Sequence, residues 1–555
     1  MQSAVLRAPG ASRIGTTSRS IGSSSCAAST AHICSVSRRA RMQQQASAVS
    51  TAAAPAMFAD CSPAGHVQQL LGLAYPPVQP LLGSEDGSFA QETITTRLPA
   101  IMDTVLADLA AEGAAAASHP QQEQLKQQLA AAAVGVKQIQ QEMPVDGALQ
   151  PLQLPPHLPA GHPLSSIIPT TNAAVAAWAA HSGQAASWLQ LPWLTVECYL
   201  YVRLATIIAS QPLLAGSQYD PFFRQKCTAL SKSMAAAGDI AAALQLLLQE
   251  QQDAIAAAGC GGAPQMAAHF SEETKGRFYQ LLQYSLWGNK TDLSMLVDVA
   301  HLDSSAAAAA AAVSSSSGSG NSNIIVDETD ALWEYLKAKA AAAQGSGSEG
   351  LQCSLPRIDI ILDNAGLELF TDLVLADYLV ATGLAGQVVL HGKALPWFVS
   401  DTLTHDLDYL IQNVSSSSGG EAHAAALAAA GQRWAGHMQS GRWRFAADQF
   451  WTTPHPFWWM QELAPELHAE LAASSLLVFK GDLNYRKLAN DCRWPATTPF
   501  TTALGGFCPT GLLSLRTLKA DVIAGLAPGE AEALDKLDPR WQVNGKFGVL
   551  QFAQP

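Results

Sequence analysis

In the last third of the chain, apolar residues fall into two alternating rhythms. Ile358, Ile360, Ile361 and Leu362 form a short, largely β-branched run that breaks off at Asp363-Asn364, as a buried strand does. Beyond Gly366 the apolar residues return at Leu369, Phe370, Leu373, Val374 and Val380, which is a helical period. A strand feeding a helix is predicted, with an acid and an amide at the strand's carboxyl end. The alternation continues through QVVLHGK (387–393), PWFVSD (396–401), the helix HDLDYLI (405–411), LLVFKGD (476–482), LSLRTLKADV (513–522) and GKFGVLQF (545–552). Upstream, IIVDETDALWEYLKA (324–338) adds another short strand and helix. This pattern predicts an α/β class with a largely parallel sheet and helices on both faces.

Residues 76–300 read as a mostly helical region set against that sheet. SFAQETITTRLPAI (88–101) leads into helical patterning through Leu109, and PWLTVECYLYVRLATII (192–208) reads as a well-buried helix in which Glu197 is a paired core acid. The Gln- and Ala-rich segment 121–141 is helical or loosely ordered, and the prolines of 144–169 suggest an extended connector. In SLWGNKTDLSML (285–296), Trp287 suits the core, and the polar Asn289 and Lys290 follow a glycine where the chain can turn toward a ligand. Two Ala/Ser/Gly inserts, 304–323 and 338–349, need not pack. The second runs into a formal G-x-G-x-x-G at Gly345–Gly350, but this precedes a strand instead of following one, so it is not a dinucleotide cradle. The resulting plan is a leader (1–59), a helical region (76–300), an insert (304–323) and an α/β core (324–555).

Composition narrows the function. The 555 residues carry a formal charge of −13, and the first 59 hold six arginines and no acid or lysine; the remainder balances 26 bases against 45 acids. So acidic a body argues against a nucleic-acid partner. No apolar run approaches the ~20 residues of a membrane span. The Ser/Ala/Arg-rich, acid-free leader fits an organelle transit peptide, chloroplast or mitochondrial, with a disordered tail on a cytoplasmic protein as the alternative. The nine cysteines include no Cys-x-x-Cys pair and read as buried thiols in a reducing compartment.

Three predicted strands end in an acid: Asp363, Asp401 and Asp482. Parallel strands bring such ends to one edge, where ligands bind in open α/β sheets. Close carboxylates repel unless a proton or a cation intervenes. Oxygen-only donors, Asp, Asn and Asp, favour magnesium or manganese over zinc. In an acidic protein, Arg516-Thr517-Leu518-Lys519 and Lys546 stand out as anion contacts. A metal beside a cationic cradle suggests phosphoryl chemistry.

The words SFAQETITTRLPAI, PWLTVECYLYVRL, SLWGNKTDLS, LDNAGLEL, HGKALPWFVSDT, FKGDLNYRKL and RTLKADV, in this order, resemble the metal-dependent damage-control phosphatases, in the branch also called acidic-residue methyltransferase-like. The resemblance spans about Pro76 to Phe552. It implies a three-layer α/β/α core with a helical N-terminal part, and a divalent metal: manganese, cobalt, nickel or magnesium. It places the metal ligands, and with them the catalytic centre, on Asp363, Asn364 and Asp401. Glu368 falls on a ligand-contact position, Arg516, Thr517 and Lys519 on the substrate-binding Arg-Thr-x-Lys word, and Lys546 on a further substrate lysine. Asp482 and Asn484 belong to a family word of less defined role. The implied activity is hydrolysis of small phosphorylated metabolites, sugar phosphates such as fructose 1-phosphate, in metabolite repair. The alternative claimed for the branch is methyl transfer from S-adenosylmethionine to protein glutamates. The absence of a glycine-rich loop after the Asp363 strand weighs against that reading.

Overall fold

A computed structural model describes residues 63–116, 120–258, 270–288, 323–345, 356–417 and 422–555. The leader, Asn289, Lys290, the first insert up to residue 322 and residues 346–349 of the second lie outside them.

Seven strands form one sheet: β1 (Ile324–Asp327), β2 (Arg357–Ile361), β3 (Gln387–His391), β4 (Trp443–Ala446), β5 (Leu476–Lys480), β6 (Leu512–Thr517) and β7 (Gly548–Ala553). Their order is β1-β7-β6-β5-β2-β3-β4. Every neighbouring pair is parallel except β6 and β7. The carboxyl ends of β2, β3 and β5 therefore share one edge.

Period-two alternation decides what each face meets. On one face, Ile361, Leu477, Phe479, Leu512 and Val549 join a core with α1 (Leu98–Ala115), α2 (Gln122–Glu142), α3 (Leu164–Ser182) and α4 (Trp193–Ala209). On the other, Ile358, Ile360, Val388, Leu390, Val478 and Leu513 pack against α5 (Phe223–Ala258), α6 (Glu272–Trp287), α7 (Thr329–Gly345), α8 (Leu367–Ala381), α9 (Thr404–Ser415) and α10 (Ala422–Ser440). The result is an α/β/α sandwich whose N-terminal helices serve both faces. One further helix, α11 (Gly481–Leu488), follows β5 directly.

Local differences from the sequence pattern have clear causes. Residues 122–142 are fully helical, because Leu125, Leu129, Ala132, Val136 and Ile139 make one buried stripe. The proline-rich stretch ends sooner than expected: α3 starts at Leu164 and keeps Pro169 inside it. PWFVSD is not a strand. Phe398 and Val399 take φ of +40° and +69°, the left-handed region that bulky residues avoid. The segment is apolar because Trp397 and Phe398 pack around Tyr201 of α4. Asp401 thus lies on a turn, not at a strand end. Glu197 is a core acid, buried and bonded by Arg486 Nη1 at 2.6 Å. Cys198, Cys227, Cys492 and Cys508 are free thiols.

Candidate active site

β2 ends against β3, where Leu362 N–H donates to His391 O at 2.9 Å. The chain then exchanges partners with the strained turn: Thr402 N–H donates to Asp363 O (2.8 Å) and Ala365 N–H to Ser400 O (2.7 Å). Asn364 and Asp401 form a bridge. Backbone pairing therefore brings together three of the expected residues, Asp363, Asn364 and Asp401. Glu368 joins them from the first turn of α8, one turn beyond Asn364. All four are buried.

Asn364 ties the cluster together. Its Nδ2 donates to Asp363 Oδ2 at 2.7 Å and to Glu368 Oε2 at 2.8 Å, and its Oδ1 accepts from Ser400 Oγ. Burial pushes the Asp363 carboxyl well above the usual carboxylate range, and the charges of Glu368 and Asp401 push it further; Lys393 and Lys519 offset this only in part. Burial also raises Asp401, against the pull of Lys393. Three carboxylates and an amide oxygen, buried and mutually repulsive, suit a divalent cation with oxygen ligands.

Buried lysines hold the set in place. Lys393, two residues past β3, reaches Leu362 O (3.0 Å) and Asp401 Oδ2 (3.1 Å). Lys480, the last residue of β5, pairs with Asp372 (2.8 Å) and Glu368 (3.4 Å) of α8. Lys226 of α5 donates to Asp401 O at 3.0 Å and pairs with Asp406 (2.8 Å) and Asp220 (3.2 Å). The first two were visible as lysines closing the apolar words QVVLHGK and LLVFKGD. Lys226, in an Ala-rich helix, carried no such signal. Asp220, His405 and Asp406 also present ligand atoms within 4.8 Å of one another. The Lys226 ammonium is the cation their carboxylates already share.

The downstream residues divide. Asp482 sits in the first turn of α11, where Oδ1 accepts from Arg516 Nε (2.7 Å) and Lys519 N–H (3.1 Å). Arg516 is fully buried, stacks on Tyr485 and donates its other nitrogens to Val522 O and Ala520 O. Through one bond each from Nε, Nη1 and Nη2, Arg516 braces the turn after β6. Lys519 on that turn is exposed, and its charge acts on Asp363. Thr517 closes β6. Asn484 Nδ2 stitches α11 to Lys480 O (2.8 Å) and Leu362 O (3.3 Å), a supporting place. Lys546 precedes β7 and pairs with Asp538 at 2.8 Å on the surface. Asn289 is not among the described residues; Gly288 before it lies against α8, where an added Cβ would stand 2.9 Å from Glu368 Cα.

Comparison with known proteins identifies the family. Residues 93–534 match the model of the damage-control phosphatase ARMT1-like domain. The chain belongs to the damage-control phosphatase ARMT1-like family. Damage-control phosphatase ARMT1 of Danio rerio is 39% identical over 374 residues, 67% of this chain and 76% of that protein. The Mus musculus protein of the same name is 36% identical over 368 residues (66% and 75%), and the Homo sapiens one 35% over 368 (66% and 76%). A DUF89 family protein from Pyrococcus horikoshii aligns with 70% of this chain and 90% of its own at 14% identity and a TM-score of 0.30, a likeness too slight to carry an argument. Membership makes this ARMT1-like chain an enzyme of the phosphatase class. No helix among its described residues is long and apolar enough to cross a membrane.

Proposed function

We propose that this phosphatase hydrolyses phosphomonoesters of small sugars, fructose 1-phosphate among them. It would do so with a divalent cation (manganese, cobalt, nickel or magnesium) held by Asp363, Asn364 and Asp401. The observation that carries the reading is the convergence of Asp363, Glu368 and Asp401, where burial first and then mutual repulsion raise the Asp363 carboxyl. A bound divalent ion supplies the missing positive charge and polarises a phosphate oxygen.

The remaining work falls to the chain's own residues. Lys393 and Lys226 fix Asp401 by its carboxylate and its carbonyl, and Lys480 fixes Glu368. Asp482 and Arg516 hold the turn that presents Lys519 toward the carboxylates. There Lys519, beside Thr517, meets the anionic substrate and the charge that develops on it. Lys546, whose loop touches that of Lys519 through the Gly545 N–H bond to Leu518 O at 2.8 Å, extends the cationic rim. Methyl transfer from S-adenosylmethionine finds no supporting feature: the turn after β2 is Asp363–Gly366, without a glycine-rich cradle.

The test is phosphate release by the purified chain from a panel of sugar phosphates with manganese or cobalt. Release is expected to stop with a chelator and in Asp363→Ala. A folded protein with no metal-dependent release refutes the proposal. Acid quench during turnover distinguishes attack by Asp363, which would leave a trapped phosphoryl-aspartate, from attack by water. We further assign residues 1–59 to import into chloroplast or mitochondrion, on composition; a diffuse cytosolic signal from a fluorescent fusion would overturn that.

A further inference from the structure

A second cavity, of about 140 Å³, lies beyond the far end of α11, where Asn490–Cys492 form part of its wall. No residue of the candidate active site lines it. α11 spans about 12 Å, with Asp482 at its start.

Rings make up part of the cavity's wall, and Gln79, Thr195 and Asn490 also line it. Tyr75 stacks on His181 at 4.7 Å with planes 10° apart, Trp178 lies 5.7 Å from His181, and Trp459 stands edge-on to Tyr75 at 5.2 Å. The indole N–H groups of Trp178 and Trp459 are already given to Gln190 O (3.2 Å) and Ala74 O (2.8 Å), so neither indole has a donor left for a ligand. Asp491, the charged residue of the wall, is clamped by Arg486 through bonds of 2.7 and 2.9 Å. His455 also lines the cavity. It is 1% exposed, and neither ring nitrogen has a hydrogen-bond partner among the described residues. Burial, with Lys487 and His66 nearby, pushes this imidazole down to about 3, so it is neutral. A neutral imidazole offers one donor and one acceptor, and buried polar groups are normally satisfied. A cavity of roughly 150 Å³ with apolar walls accepts one benzene-sized ring.

We propose that this cavity binds a small uncharged aromatic molecule of one ring carrying a hydroxyl or ring nitrogen. Its faces lie against Tyr75, Trp178 and Trp459, and its polar group bonds to His455. The site is independent of the phosphatase chemistry proposed above.

Fluorine NMR titration of the full chain with 4-fluorophenol and fluorobenzene tests it. Saturable 4-fluorophenol binding is expected, about tenfold tighter than fluorobenzene, the value of one added hydrogen bond. His455→Leu should equalise the two probes. Ala177→Met, which projects a flexible chain into the cavity, should abolish both without lowering the melting temperature appreciably. The proposal falls if neither probe saturates, if the phenol preference survives His455→Leu, or if Ala177→Met still binds. It also falls if fructose 1-phosphate with manganese displaces the phenol, because the probe would then be in the active site.

Discussion

Gly481 is where a single methyl group should do most harm. It joins β5 to α11 at φ +82°, and its Cα faces the Asp363 side chain. An added Cβ would stand 1.9 Å from Asp363 Oδ2 and 2.2 Å from Cγ. Restoring an ordinary ~3.5 Å contact means moving one side or the other by about 1.5 Å. Left-handed backbone adds about 1–2 kcal/mol for any residue with a Cβ. Gly529 separates the two effects: its φ is +85°, yet an added Cβ meets nothing within 4 Å. Gly529→Ala therefore carries the backbone cost alone. Displacing a reacting group by ~1 Å costs about 100-fold in rate. Gly481→Ala is accordingly expected to lose about 100-fold in phosphate turnover and to need more manganese for half-maximal rate. Gly529→Ala should be similarly strained but fully active. The assay is phosphate release over a manganese series, with melting curves for both variants. Wild-type turnover in a folded Gly481→Ala would refute the placement of Asp363 at the reacting centre.

The two basic residues of the Arg-Thr-x-Lys word should behave oppositely. Arg516→Ala removes the guanidinium from Asp482 and from two carbonyls and should cost about 3 kcal/mol in urea unfolding, whereas Lys519→Ala should leave stability unchanged and raise KM for sugar phosphate. Equal unfolding midpoints for the two would contradict the bracing role. Lys226→Met should destabilise by about 3–5 kcal/mol near pH 7, since Asp220 and Asp406 lose a buried partner. Burial pushes Asp220 up, but the Lys226 ammonium and His405 beside it outweigh that and hold it well below the usual carboxylate range. A folded-state pKa below the unfolded ~3.9 stabilises above that pH and stops doing so as pH falls through the lower value. The wild-type advantage over Lys226→Met should therefore hold from neutral pH down to about pH 4 and shrink below it; an advantage independent of pH would show that the pair is not the source.

How much was legible beforehand varied with the kind of interaction. Periodicity located the β2–α8 junction and the parallel sheet because burial on both faces leaves few options but Ile, Val and Leu at those positions. PWFVSD misled for the same reason: a turn packed under Tyr201 is as apolar as a strand, and only backbone angles separate them. The bracing bonds of Arg516 were not legible, because residue type shows how many bonds a guanidinium can make, not which groups take them. Lys226 was invisible, since its partners, Asp220 and Asp406, come from separate segments.

By itself, the chain's pattern of residues determined the α/β class, the acid and amide at the end of β2, and the acidic charge of the body. These follow from local period and composition, which need no knowledge of neighbours. Only the tertiary structure decided that Asp401 reaches Asn364 from a turn, that Lys393 and Lys480 hold the acids, and that Gly481 must lack a side chain beside Asp363. Each of those depends on groups distant in sequence meeting within a few ångströms, and the strength of an ion pair or a steric overlap is set by that distance and, for the ion pair, by its burial.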